Sequence, residues 1–219
     1  MGYIPGMDRI RVKVCGITRL EDARALDALN VDYLGFNFSR QSKRFIEPAA
    51  AAIIISQLRH AVPVGVFVNS PPDQIQEITR ETGIRIAQLH GDENWDVIDR
   101  VSLPVIKAIP HTRLPDYGGL RDEWNKHENH PEYFLVDTQS GAKFGGSGET
   151  FDWTLLRSHI LPRPFFLAGG LGPENLAEAL AATEPFAVDL NSRVETAPGI
   201  KDVELVKRCI AIVEKFQAS

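Results

Sequence analysis

The sequence predicts an α/β fold, a single (β/α)8 barrel, and three observations predict it. Short apolar segments of strand length recur eight times along the chain. Helix-like segments alternate with them at about one unit per 27 residues, which for 219 residues is near the lower length limit of such a barrel. The first strand runs into Cys15-Gly16-Ile17-Thr18, where a doubly wound open sheet would carry a GxGxxG turn.

Each element can be justified in order. Within Arg11 to Thr18 (RVKVCGIT), Val12 and Val14 alternate with Lys13 and Cys15, and the run ends at Gly16 as a short strand. Leu20 to Leu29 has apolar positions at helical spacing, with Thr18 expected as its N-cap and Glu21 as the capping-box partner. Asp32 to Phe38 is the second strand. Pro48 then opens an alanine- and isoleucine-rich helix to His60, and Pro63 to Val68 is the third strand. Pro71 to Gly83 is helical, Ile84 to His90 is strand four, Asn94 to Val101 is helical, and Pro104 to Ile109 is strand five. Pro115 to Glu132 is the least regular segment, with a fifth helix expected near Leu120 to His127. Tyr133 to Asp137 is strand six, Trp153 to Ser158 a short helix, and Pro164 to Ala168 strand seven. Pro173 to Ala182 is the seventh helix, Phe186 to Leu190 strand eight, and Val203 to Phe216 the closing helix. Residues 1–9 show no periodicity and are expected to be an N-terminal tail to a barrel domain spanning 10–219.

Composition narrows the functional classes. At 43% hydrophobic residues the chain can bury one full core. Its 24 basic and 29 acidic residues give a net charge of −5 without any basic block, which argues against nucleic acid as a main partner. No apolar run approaches the roughly 20 residues of a membrane span, and no signal-peptide pattern is visible, so a cytoplasmic protein without membrane partners is expected. Cys15 and Cys209 are the only cysteines and form no CxxC, which supports neither a disulfide framework nor a thiolate metal site. Cys209 shares a helical pattern with Val203, Val206, Ile210 and Val213, and reads as core.

In a (β/α)8 barrel, ligands bind at the C-terminal ends of the strands. Those ends here carry Cys15, then Asn37 with Arg44 in the following loop, Gln88 and His90, Asp137, and Asp189 with Asn191. Barrel stability alone would prefer apolar residues there. Strands seven and eight lead into AGGLGPEN and DLNSRVETAPG. Gly169 and Gly170 suit either a tight turn or a phosphate cradle; position favours the cradle, with a helix N-terminus expected near Gly172 or Pro173 and with Asn191 and Ser192 in the partner loop. Arg193 either adds charge to that cradle or is solvated. After strand six, the glycine-rich stretch holding Gly145, Gly146, Ser147 and Gly148 suits a lid beside Asp137, or a plain surface loop.

A small buried hydrophobe is one reading of Cys15, since most free cysteines are that. The other is a reactive group, paired with Asp137 as base and acid across one barrel mouth. A free thiol is only a few per cent ionised at neutral pH, so the base role carries a penalty of about 2 kcal/mol. Asp137 must in turn stay protonated to serve as the acid, with Asp189 and the substrate's own charges as the setting that would keep it so.

VKVCGIT, GFNFSRQSKRFI, GVFVN, QLHGDE, LVDT, GGSGETFDW, LAGGLGPEN and AVDLNSRVETAPGIKD, in that order, resemble the phosphoribosylanthranilate isomerase family from about Arg11 to the end. The resemblance implies an Amadori rearrangement without metal or cofactor. N-(5-phosphoribosyl)anthranilate, a phosphorylated aminosugar, would become 1-(2-carboxyphenylamino)-1-deoxyribulose 5-phosphate in tryptophan biosynthesis. It implies Asp137 as the general acid that opens the sugar ring and Cys15 as the base that takes the C2 proton. Arg44 looks like the residue near the anthranilate carboxylate, Gln88, His90 and Asp189 remain substrate-binding candidates, and the AGG and NSR loops fall where the family holds phosphate. A monomer or a homodimer fits a barrel of this size. A histidine-pathway isomerase on the same barrel usually works with two aspartates, which Cys15 disfavours, and a silent phosphate-binding protein would not need Cys15, Asp137 and Arg44 together.

Overall fold

Alternation along each strand decides what the barrel encloses, because successive side chains point to opposite faces. In the computed structural model, which describes residues 9–110, 131–137, 161 and 164–218, eight parallel strands close in sequence order. They are β1 (Arg11–Cys15), β2 (Tyr33–Asn37), β3 (Val62–Phe67), β4 (Ile86–Leu89), β5 (Val105–Pro110), β6 (Tyr133–Asp137), β7 (Phe165–Ala168) and β8 (Ala187–Leu190). Closure comes from β1 pairing with β8, Lys13 opposite Asp189. The described helices are α1 (Leu20–Ala28), α2 (Pro48–Ile55), α3 (Pro72–Thr82), α4 (Trp95–Asp99), α5 (Leu176–Thr183) and α6 (Val203–Gln217). A small antiparallel pair, β9 (Glu195–Ala197) and β10 (Ile200–Lys201), lies between β8 and α6. The expected helices at Leu120 to His127 and Trp153 to Ser158, and the lid residues Gly145, Gly146, Ser147 and Gly148, lie outside the described residues.

Parallel strands buried on both faces feed two cores. Val12, Val14, Leu34, Phe36, Phe67 and Leu167 face the helices, where Leu26, Ile75, Leu180 and Val206 cover them. Tyr33, Val64, Ile106, Leu135, Phe166 and Phe186 fill the barrel interior. The lower layer is aromatic: Tyr133 and Phe186 stack at 4.8 Å between ring centroids, and the Arg11 guanidinium sits 4.4 Å over Phe186. Each fully buried side chain of this size stabilises the fold by about 1.5–3 kcal/mol. This filled interior forms the floor beneath the strand ends.

Several boundaries differ from the sequence reading, and polar partners explain them. Thr18 does not cap α1; Arg19 occupies the N-cap without a side-chain bond and pairs with Glu21, while the Thr18 hydroxyl donates to the Gly199 carbonyl at 2.6 Å. α2 stops at Ile55, short of His60, because the N–H groups of Arg59, His60 and Ala61 donate to the Asp27 carboxylate at 2.9, 3.0 and 2.8 Å. The helix expected from Pro173 starts at Leu176. Asn175 folds the preceding turn, accepting from Gly172 N–H at 2.9 Å and donating to the Gly170 carbonyl at 3.1 Å. α6 starts at Val203 as expected and buries Cys209 fully, its thiol pushed up to about 12 chiefly by that burial, and Asp202 caps the helix by accepting from Glu204 and Leu205 N–H. Among the described residues no helix is long and apolar enough to cross a membrane.

Candidate active site

The site follows from continuing the inward face of each strand by one more residue pair. On β1 the inward series is Arg11, Lys13, Cys15; on β6 it is Tyr133, Leu135, Asp137; on β4 it is Ile86, Gln88 and then His90. On β8 Asp189 is followed by Asn191 in the loop. A cavity of about 690 Å3, counting its solvent-open part, is lined by Cys15, Gln88, His90, Asp137, Asp189, Asn191 and Ser192 with Gly169 and Gly170. Asn37, Val66, Val68 and Ala168 complete it. Ten of the expected residues are thus brought to one mouth, and Cys15 and Asp137 stand three strand steps apart around the barrel.

Glycine makes room for the thiol. A Cβ on Gly35, which pairs with Cys15 across β1 and β2, would lie 2.8 Å from the Cys15 Sγ. Gly16 has φ +78°, a left-handed conformation that lets the chain turn directly after the thiol, and a Cβ there would lie 2.5 Å from Arg44 Cδ.

Charge is layered under the cavity. Lys13 is fully buried, two positions before Cys15 on the same face of β1, and its Nζ donates to Asp189 Oδ2 at 2.7 Å. Burial pulls the Lys13 ammonium down, but Asp189 and Cys15 outweigh it and hold the ammonium above its ordinary value. For Cys15, burial pushes the thiol up, Lys13 pulls it down, Asp189 pushes it up and Lys201 pulls it down, with burial prevailing. Two buried acceptors on lining residues, Gln88 Oε1 and Asp189 Oδ1, have no partner among the described residues. Unpaired acceptors of this kind are costly unless a ligand supplies donors, and hydroxyl groups would do so.

A second ion cluster stands beside the first. Arg44 grips Glu195 in bidentate fashion, Nε to Oε1 at 2.8 Å and Nη2 to Oε2 at 2.6 Å. Lys201 Nζ donates to Glu195 Oε1 at 2.6 Å and to Asn191 Oδ1 at 3.1 Å. Burial pushes the Glu195 carboxyl up, yet Arg44, Lys201 and the Gly199 N–H together hold it below its ordinary value. Lys201 is held low, by burial first, with Glu195 and Cys15 opposing. Arg44 therefore sits next to the cavity, behind Gly16, and Nη1 has no partner among the described residues.

On the far side, the Gln88 amide and His90 Nδ1 lie 2.8 Å apart, and His90 Nε2 is 3.6 Å from Asp137 Oδ2. The loop carrying His90 is fixed by Glu93, which accepts from Asn69 and Gly91 N–H and pairs with Lys107 at 2.7 Å. After β7, Gly169 and Gly170 take φ +102° and +63°, conformations closed to most side chains. After β8, Ser192 starts a short 3-10 turn, Ser192–Val194. Arg193 is exposed on that turn, outside the cavity lining, with its stem against Gly172. Sequence reasoning missed Lys13, Lys201, Glu195, Glu93 and Lys107. Only Lys13 left a signal, since it shares the face of Cys15 two residues away.

A family model described as N-(5'-phosphoribosyl)anthranilate (PRA) isomerase matches residues 12–212. N-(5'-phosphoribosyl)anthranilate isomerase of Petrotoga mobilis is 42% identical over 202 residues, covering 92% of this chain and 95% of the relative. The crystal structure of phosphoribosyl anthranilate isomerase from Thermotoga maritima is similar with a TM-score of 0.80 at 37% identity, covering 94% of this chain and 99% of that one. A phosphoribosyl anthranilate isomerase in complex with reduced 1-(o-carboxyphenylamino)-1-deoxyribulose 5-phosphate is similar with a TM-score of 0.76 at 34% identity, over 94% and 99% of the two chains.

Proposed function

The chain belongs to the N-(5'-phosphoribosyl)anthranilate isomerase family, and we propose that its barrel mouth performs the rearrangement of that substrate with Cys15 as base and Asp137 as acid. The product is the aminoketose 1-(2-carboxyphenylamino)-1-deoxyribulose 5-phosphate, formed in tryptophan biosynthesis. The observation that carries the residue assignment is that one cavity presents a thiol and a carboxylic acid to one ligand, with two acceptors unpaired among the described residues beside them and glycine-rich loops at its rim.

Binding comes first. The phosphate lies on the backbone of the loops holding Gly169, Gly170, Asn191 and Ser192, where small residues let N–H groups approach an anion. Asp189 Oδ1 and Gln88 Oε1 accept from the sugar hydroxyls. The Arg44 guanidinium keeps one edge on Glu195 and offers Nη1 to the anthranilate carboxylate, a planar charge match.

Chemistry then needs two proton movements. Asp137 protonates the ring oxygen as the C1–O bond breaks, and the nitrogen lone pair forms the C1=N bond of a protonated Schiff base. The Cys15 thiolate takes the C2 proton; the C2–H electrons become the C1=C2 bond, and the C=N electrons return to nitrogen. Protonation of C1 by the Cys15 thiol and return of the C2 hydroxyl proton to Asp137 give the ketone and restore both groups. A cytoplasmic location suits this charged, soluble substrate.

The test is the loss of anthranilate-type fluorescence when freshly generated phosphoribosylanthranilate meets wild type, Cys15→Ser and Asp137→Asn. Rapid turnover by wild type and a loss of about 10²–10⁴-fold in each variant is expected, the usual range for a proton-transfer partner. An inert wild type would overturn the function, and active variants would overturn the residue assignment.

A further inference from the structure

Lys13 has no place in the chemistry just described, yet its position is specific. It lies one inward step below Cys15, fully buried, where inward positions of other strands such as Val64, Ile106 and Phe166 carry hydrocarbon. An isoleucine or leucine would pack there without the desolvation cost that a buried ammonium carries. The ammonium donates to Asp189 Oδ2 at 2.7 Å from the neighbouring β8, and its charge acts on the Cys15 sulfur, which follows it on the same inward face of β1. Asp189 alone would make an ordinary buried pair. The sulfur on the same strand face gives the pair a direction, carboxylate on one side and thiol on the other.

We propose that Lys13 is the counter-cation of the Cys15 thiolate, a positioning residue that acts through the sulfur while Asp189 fixes its ammonium from the other side. The inference rests on the reading of Cys15 as the base. In the deprotonation step the thiolate lone pair takes the C2 proton and Cys15 becomes a neutral thiol. When that proton passes to C1 the thiolate forms again against the same ammonium. Lys13 keeps its three protons throughout, so its contribution is charge and placement.

The charged groups around Cys15 all enter the test: Lys13 from β1, Asp189 from β8, Lys201 from β10 and Arg44 from the loop after β2. Lys13 pulls the thiol toward ionisation most strongly; Lys201 also does so but is engaged by Glu195 and Asn191, and Arg44, whose charge also interacts with Cys15, is engaged by Glu195. An opposite charge at this range lowers a group's pKa by about 1–3 units, so its removal raises the pKa of Cys15 by that amount. A base must be unprotonated to work. The rising limb of kcat/KM against pH therefore moves to higher pH when Lys13 is neutralised.

The experiment measures that limb for wild type, Lys13→Met, Lys13→Met/Asp189→Asn and Asp189→Asn. In parallel it follows the pH dependence of alkylation of Cys15 by iodoacetamide, with the modified peptide located by mass. Lys13→Met is expected to shift both profiles up by about 1–3 pH units. The double variant leaves no lone buried charge, so it keeps the test open if Lys13→Met does not fold; it should shift both profiles the same way by less. Asp189→Asn removes an anion from beside the sulfur and should shift them down. Unmoved profiles in the folded variants would overturn the inference. Alkylation reads the thiol without turnover, so an enzyme inert on phosphoribosylanthranilate would defeat the proposed function and still report on Lys13.

Discussion

Replacement of Glu195 by alanine separates two roles of the ion cluster beside the cavity. Its carboxylate is 3% exposed and answers Arg44 through three bonds, Lys201 through one and the Gly199 N–H through a fifth. Lys201 is completely buried, whereas Arg44 is 21% exposed. Glu195→Ala therefore strands one buried ammonium and frees one half-open guanidinium. Breaking a buried pair costs about 3–5 kcal/mol, and the access of Arg44 to water places the expected loss at about 3 kcal/mol. For a chain of this length that is roughly 6–12 °C in Tm. The guanidinium also loses the brace that aims it, and a charge-assisted hydrogen bond is worth about 1.5–3 kcal/mol, or roughly 10–100-fold in KM. Denaturant unfolding and steady-state kinetics on Glu195→Ala and Glu195→Gln read both effects. The amide keeps an acceptor for Lys201, so it should lose less stability than alanine while still raising KM. Stability within 1 kcal/mol of wild type and an unchanged KM in the alanine variant would refute the claim that Glu195 places Arg44.

Two further outcomes follow from geometry and charge. Gly35→Ala puts a Cβ 2.8 Å from Cys15 Sγ and 3.1 Å from Cys15 Cα; overpacking of about 1–3 kcal/mol and at least about a tenfold fall in kcat are expected, measured beside Gly83→Ala, whose left-handed φ of +75° costs stability but whose Cβ meets nothing closer than 4.0 Å and whose kcat should stay at the wild-type value. Burial pushes the Asp27 carboxyl up, but the N–H groups of Arg59, His60 and Ala61 beyond α2 outweigh it and hold it below its ordinary value, as the cations hold Glu195. Groups lowered in the folded state stabilise it above their unfolded values, about 3.9 for Asp and 4.3 for Glu, and lose that contribution as pH falls through the folded values. Thermal unfolding from pH 6 to pH 2 should therefore show a smaller acid loss in Asp27→Asn than in wild type, and equal slopes would refute the assignment.

What the sequence disclosed depends on how far away each partner lies. Strand ends were legible because inward residues repeat every second position: Gln88 and His90 close IRIAQLH, and Asp137 closes YFLVD, so polar residues at those places had to face the mouth. Lys13 obeyed the same rule and was passed over. On a strand buried on both faces a lysine reads as a break in the apolar pattern, and its partner Asp189 is 176 positions on. Thr18 looked like a helix cap for the same reason. Its neighbours in sequence offered a cap, while its actual acceptor, the Gly199 carbonyl, is 181 positions away. Glu195 and Lys201 had no local signature at all, since β9 and β10 are three and two residues long and too short for alternation. Yet that hairpin carries the carboxylate holding Arg44 and one of the two ammonium groups pulling on Cys15. Periodicity thus identifies the residues that face the substrate. The charges that set the behaviour of those residues come from chain segments joined only by barrel closure, and such pairing leaves no mark in a local pattern.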